Sequence, residues 1–149
     1  QYKGFDLTMF WQGIQGRDII SDLKKETDLW SGLNIGFLNK GRRVLDAWTP
    51  NNPDSDIPAL TRSDLNNEKR VSTYYVEDGS FLKLRNIQIG YNVPEQALQK
   101  IKMRKLRVYV SAQNLLTIKS RTFTGVDPEN PNYGYPIPMN LTFGVNIGF

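Results

Sequence analysis

Residues 140–149 read NLTFGVNIGF. Leu141, Phe143, Val145, Ile147 and Phe149 take every odd position, while Asn140, Thr142, Gly144, Asn146 and Gly148 take every even one. Successive side chains of a β-strand point to opposite faces. This stretch therefore predicts a strand with one wholly apolar face and one small or polar face. Its last residue is a phenylalanine with no polar tail beyond it. Such a strand suits a closed sheet between hydrocarbon and water, where pairing with neighbours satisfies the backbone without solvent.

Three more stretches carry the same period. In FDLTMFWQG (5–13), Phe5, Leu7, Met9 and Trp11 fall on one face and Asp6, Thr8 and Gln12 on the other, with Phe10 as the exception. In SFLKLRNIQIGYNVP (80–94), Ile87, Ile89, Tyr91 and Val93 alternate with polar or small residues. Leu82 and Leu84 lie in the opposite phase, which predicts a β-bulge or a change of environment between Leu84 and Ile87. In LRVYVSAQNLL (106–116), Leu106, Val108, Val110 and Ala112 alternate with Arg107, Tyr109, Ser111 and Gln113. Pro94 and EQALQK predict a short helical connector between the second and third strands.

The other two connections are long. From Gly13 to about Ser80 the chain is rich in Asn, Asp, Gly and Pro. It reads as loop apart from one short helix, from a cap at Ser21 or Asp22 through Trp30. Residues 117–138 are again turn-rich. Four strands joined by long, short and long connections match an up-and-down outer-membrane barrel, with short turns at one rim and extended external loops at the other. A loop of the first length inside a compact soluble domain would count against the assignment.

Composition is permissive here, and mainly excludes chemistry. The 149 residues are 39% hydrophobic, with a mean hydropathy of -0.48. They contain no run of apolar residues long enough for a membrane helix, a test that leaves a barrel untouched. Neither Cys nor His occurs, which removes disulfides, thiolate nucleophiles, imidazole bases and nearly all zinc chemistry. The acids Asp54, Asp56, Glu77 and Asp78 read as solvated loop residues. In DPENPNYGYP, Asp127, Glu129 and Asn130 lack calcium-loop spacing and read as turn formers. No metal or cofactor is expected. The formal charge is +4, and the densest basic run, KIKMRKLR (100–107), lacks any nucleic-acid fold signature. In the barrel reading it falls on the short turn, facing lipid headgroups, with Lys119 and Arg121 at the opposite end.

The same reading assigns the polar strand positions Asp6, Gln12, Arg107, Gln113 and Asn114 to the lumen. Trp48, Tyr133 and Tyr135 fall in external loops, as candidate contacts for a substrate or a lid protein.

Taken in order, YKGFDLTMFWQGIQGRDI (2–19), LDAWTPNNPDSDIPAL (45–60), YVEDGSFLKLRNIQIGYNVP (75–94), LRVYVSAQNLLT (106–117), GVDPENP (125–131) and the terminal FGVNIGF resemble segments of SusC/RagA-type TonB-dependent transporters. The likeness is weakest in 20–44 and 61–73. It implies an all-β fold, in which residues 1–149 form the C-terminal portion of a 22-stranded transmembrane barrel, about four antiparallel strands without the plug domain or earlier strands. It further implies residence in the outer membrane of a Gram-negative, Bacteroides-type bacterium. The implied partners are a SusD-like surface lipoprotein, the TonB complex through N-terminal regions absent here, the barrel-assembly machinery and outer-membrane lipids. Nucleic acid is not among them. Import of glycans or peptides is the implied activity, with no catalysis. Phe143, Val145, Ile147 and Phe149 resemble the C-terminal assembly signal of such barrels. The rival reading is a soluble β-rich carbohydrate-binding module, which would use the same aromatics but must pack or wet both faces of its sheets.

Overall fold

The structure is a computed structural model describing residues 2–29, 39–62, 67–99, 102–131 and 134–149. Its described residues divide into two compact units. The first, residues 1–15, 81–119 and 137–149, is the sheet announced by the alternating stretches. Strands β1 (Phe5–Ile14), β4 (Phe81–Asn92), β5 (Lys105–Lys119) and β6 (Asn140–Gly148) form one antiparallel sheet in the order β1-β4-β5-β6, with β1 and β6 at its edges. A four-residue helix, α2 (Glu95–Leu98), connects β4 to β5 and buries Leu98.

Register gives each face its character. Directly opposite residues share a face, and the ladder aligns Leu7↔Ile89↔Val110↔Phe143 and Phe5↔Tyr91↔Val108↔Val145. These eight residues belong to one apolar face. Most of it is open, and Phe143 is 76% exposed. The next row beyond Leu7, Thr8↔Gln88↔Ser111↔Thr142, is wholly polar.

Bulges preserve this separation where the sequence changes phase. Between the pairs Phe10↔Asn86 and Trp11↔Leu84, β4 spends one residue more than β1. Between Asn86↔Gln113 and Leu84↔Leu116, β5 spends one more again. Counted against β1, one extra residue inverts parity in β4 and a second restores it in β5. Leu82 and Leu84 thus share the apolar face with Ile87 and Ile89, and Leu116 and Ile118 join Val108 and Val110. Asn114, at φ 53°, turns the β5 bulge. The expected phase change is therefore a bulge. Strand β5 runs to Lys119, past the Thr117 at which loop was expected.

The second unit, residues 16–80 and 120–136, corrects the expectation of plain loop. Strands β2 (Asp18–Ile20) and β3 (Val76–Asp78) pair antiparallel, joined in the chain by helix α1 (Asp22–Asp28) and 3-10 turns at Arg42–Asp46 and Thr73–Tyr75. Ser21 caps α1, its hydroxyl accepting from the Lys24 amide at 3.2 Å. The helix ends at Asp28, before the expected Trp30, which lies outside the described residues. Ile19 sits opposite Glu77, and both are buried. A Cβ on Gly79 would fall 2.1 Å from Ile19, so glycine is needed there. Glu77 is no solvated acid: its carboxylate accepts from the Thr124 amide at 3.1 Å and hydroxyl at 2.8 Å. Asp127 makes a turn, as its residue type suggested, accepting from the Glu129 amide at 2.9 Å.

A second buried carboxylate organises the other side of this unit. Asp28 is fully buried and accepts from Arg43 and, at 2.7 Å, from the Tyr74 hydroxyl. It ties α1 to both 3-10 turns. Burial first, and then the bond donated to Asp28, push the Tyr74 hydroxyl above its ordinary pKa of 10.0. The folded phenol keeps its proton where the unfolded one loses it. Its contribution to stability is complete below pH 10 and declines as pH rises toward the folded value. Tyr74→Phe is expected to abolish the last step of a tyrosinate absorbance titration and to flatten the loss of stability above pH 10, measured as the urea midpoint against pH. Loss of absorbance near pH 10 instead of from the last step would place Tyr74 in water.

Candidate functional site

The polar face of the sheet is built around one row of residues, Asp6↔Gly90↔Tyr109↔Gly144. Large and glycine positions alternate along it. Arg107 reaches from β5 across β4 to Asp6 on β1, with Nη2 at 2.6 Å from Oδ2 and Nε at 3.2 Å from Oδ1. This two-point pairing is the stronger geometry available to a guanidinium and a carboxylate. It crosses directly over Gly90, where an added Cβ would lie 2.6 Å from both Arg107 Nη2 and Asp6 Oδ1. Asn92 adds a bond to Asp6 at 3.1 Å.

Tyr109 uses the other glycine in the same way. A Cβ on Gly144 would fall 2.2 Å from its ring, so the ring covers that glycine and supplies the packing it lacks. The Arg107 guanidinium lies 5.3 Å from the Tyr109 ring centre, within cation–π range. The even-numbered Gly144 of the opening stretch is therefore a slot for an aromatic side chain distant in sequence and one strand away in space.

Of the residues expected on this face, Asp6 and Arg107 are brought into contact. Gln12 accepts from Arg85 Nε at 2.9 Å, and Asn114 accepts from Arg85 Nη1 at 3.5 Å while donating to the Pro138 carbonyl at 3.3 Å. Gln113 aligns with Asn86 and Asn140. Arg85 was missed because it is the extra residue of the β4 bulge, where alternation assigns no face. Gly90 and Gly144 carried no signal of their own, since small residues on a polar face look like filler.

The external-loop candidates separate. Trp48, 43% exposed, stands on the wall of a cleft of about 560 Å³ within the second unit, and its amide donates to the Ile57 carbonyl at 2.8 Å. Tyr75 is buried beneath the cleft and donates its hydroxyl to the Glu68 carbonyl at 2.6 Å. Asp56 and Arg70 bring charge of both signs to the same lining. Tyr135 is 97% exposed and lies apart from that lining, and Tyr133 is outside the described residues. Among the described residues no cluster of acidic side chains is placed to hold a metal ion.

A sheet with an open apolar face, a polar face of paired charges and two unpaired edges defines part of the wall of a membrane-spanning β-barrel. Among the described residues no helix is long and apolar enough to cross a membrane. No protein-family model matches the chain. TonB-dependent receptor P3 of Formosa agariphila is 34% identical in an alignment covering 100% of the chain and 15% of that receptor. TonB-dependent receptor P26 of the same organism is 31% identical over 99% of the chain and 16% of its own length. Among solved structures, that of the RagAB peptide transporter matches with a TM-score of 0.80 at 31% identity, covering 100% of this chain and 16% of that one. The RagAB peptide importer in its closed-closed state gives 0.78 at 30%, over 99% and 16%. The chain belongs to the TonB-dependent receptors of the SusC/RagA type, and it spans about one sixth of the relatives it matches.

The ion pair over Gly90 generates an internal test. Gly90→Ala is expected to force Arg107 and Asp6 apart and lower the urea midpoint. In an Asp6→Ala/Arg107→Ala background the same substitution should cost much less, because the atoms it displaces are gone. Urea unfolding of the four variants in detergent measures the coupling, and equal costs in both backgrounds would contradict the geometry.

Proposed function

We propose that the protein carrying this chain is an outer-membrane, TonB-dependent importer of large nutrients, glycans or peptides, and that this chain is the C-terminal part of its barrel. The observation that carries the reading is the sheet with one open apolar face and one polar face, in a chain aligned from end to end with TonB-dependent receptors. The apolar face meets hydrocarbon, and the row of Asp6, Arg107 and Tyr109 lines the lumen. Plug and TonB-contacting segments belong to the remainder of the protein. A soluble carbohydrate-binding module is disfavoured because an open apolar face across four strands would be a liability in water.

A SusD-like lipoprotein is the proposed partner, supported by the likeness to RagAB, whose described function is peptide import. That likeness also favours peptides over glycans as cargo. Trp48 and its cleft are the proposed loop contact for cargo or lid, since an exposed indole offers a broad apolar surface with one donor. Phe143, Val145, Ile147 and Phe149 are proposed to present the assembly signal.

Uptake gives the direct test. The protein should fractionate with outer membranes, shift in gel mobility on boiling, and lose import when TonB is inactivated while surface amount stays constant. Recovery in the soluble periplasm would end the proposal.

Facing is tested separately by neighbours in β6. Val145 lies opposite Val108 on the apolar face, and Asn146 opposite Arg107 on the polar one. Val145→Arg is expected to destabilise the barrel, by less than the roughly 2–4 kcal/mol of a mid-membrane site because its row ends on Phe5 and Tyr91, whereas Asn146→Asp should be nearly neutral. The folded fraction across a urea series in lipid measures both. Equal tolerance would reject the assignment, and a reversed order would mean a register slip of one residue.

A further inference from the structure

One end of the sheet carries charge that the lumen row does not use. The described residues of the β4–β5 connection are tied by backbone bonds: the Lys102 amide donates to the Gln99 carbonyl at 3.3 Å, Met103 to Leu98 at 3.2 Å and Arg104 to Gly148 at 2.9 Å. Leu98, 2% exposed, anchors it from below. Lys102, at φ 56°, Arg104 and Lys105 are all exposed on this turn. None of the three makes a side-chain hydrogen bond or ion pair among the described residues. Lys3, near the start of β1, lies at the same end, because Phe5 aligns with Tyr91 and Lys105 with Gly148. Among the described residues at this end the side-chain carboxylates are Glu95, and Asp6, which Arg107 takes, while Lys105, opposite Gly148, keeps step with Arg107 and Tyr109 on the polar face.

Their neighbours are aromatic. Phe5 and Tyr91 share the apolar face at this end with ring centres 4.7 Å apart, while Tyr2 and Phe149 are 72% and 81% exposed. Arg104 keeps step with Leu106 and Val108, so it continues the apolar column of β5 by one place beyond the strand. Aromatic rings followed outward by cations, at the end of an apolar face, are the sequence in which acyl chain, interface and phosphate are met on leaving a bilayer.

We propose that Lys102 and Arg104, with Lys3 beside them, form a binding site for the phosphate of an anionic phospholipid headgroup at the rim of the barrel. The inference rests on the membrane reading above and adds a ligand to it. Arg104 supplies a planar fork matched to two phosphate oxygens, and the lysines supply compact charges around it. Lipid is favoured over a free anion because the apolar column next to Arg104 receives the acyl chains, while a free phosphate would gain nothing from it.

Native mass spectrometry of the full-length receptor in detergent provides the test, with phosphatidylglycerol or phosphatidylcholine titrated in and the folded state checked by gel mobility before boiling. Wild type should retain phosphatidylglycerol in preference to phosphatidylcholine. Each neutralised cation should lower that preference about fivefold, so Lys102→Gln/Arg104→Gln should lose it roughly twenty-five-fold. Lys119→Gln/Arg121→Gln should leave it unchanged. The proposal is overturned if the Lys102→Gln/Arg104→Gln variant keeps its preference, if the control pair loses as much, or if inorganic phosphate displaces the lipid at equal concentration. A wild type that takes up both lipids without preference also sinks it, yet leaves the membrane reading standing; one that retains neither and stays soluble without detergent removes both.

Discussion

A sheet between two media cannot slip. Moving a strand by one residue against its neighbour transfers every apolar side chain to the polar face and every polar one to the apolar face. Across the four strands this single constraint explains the placement of both irregularities. The ladder adds one residue in β4 beside Trp11 and a second in β5 beside Leu84, and the apolar residues change phase at just those points. Without the β4 bulge, Leu82 and Leu84 would lie among Asp6, Gln12 and Arg107. The bulges lengthen the strands at that end and sharpen local twist, while the faces stay intact.

On the polar side the constraint is steric. Strands stand about 4.8 Å apart, so a side chain that must reach two strands away has to pass over the one between. Arg107 reaches Asp6 because residue 90 has no side chain, and Tyr109 lies flat because residue 144 has none. The row thus alternates bulk and absence in the way a packed core alternates large and small residues. Its result is a wall whose strongest charges neutralise each other in fixed positions.

How much of this was legible follows from which forces write themselves into a sequence. Strands β1, β4, β5 and β6 were legible because each must satisfy a two-faced environment over nine residues or more, and the Leu84–Ile87 phase change even marked the bulge. Asp6 and Arg107 were legible as members of the polar face, but their partnership was not, since it depends on a register fixed by two strands far apart in the chain. The second unit was nearly illegible. Its strands are three residues long, too short for any period to register, and Glu77 looked like an ordinary loop acid until Thr124, 47 residues away, was seen to saturate it. Family resemblance supplied what periodicity lacked there, though it was weakest over 20–44, the segment containing α1.

That second unit has a different physical basis from the sheet. Its buried set includes Ser21, Glu26, Asp28, Glu77 and Asp127 beside Ile19, Val44, Tyr75 and Phe123. Apolar burial of that modest size does not by itself fix a unique arrangement, whereas a buried carboxylate tolerates few alternatives, because leaving it unpaired costs several kcal/mol. Asp28 accepts from two different 3-10 turns, and Glu77 accepts from a loop nearly fifty residues later. Each holds segments distant in sequence at a set separation. The consequence reaches the cleft. Tyr74 and Tyr75 belong to one of the turns held by Asp28 and also line the cleft with Trp48, so the polar clamp sets the floor on which the exposed indole stands. A loop region fixed in this way can vary its outward residues, Trp48, Asp56 and Arg70 among them, without disturbing what positions them.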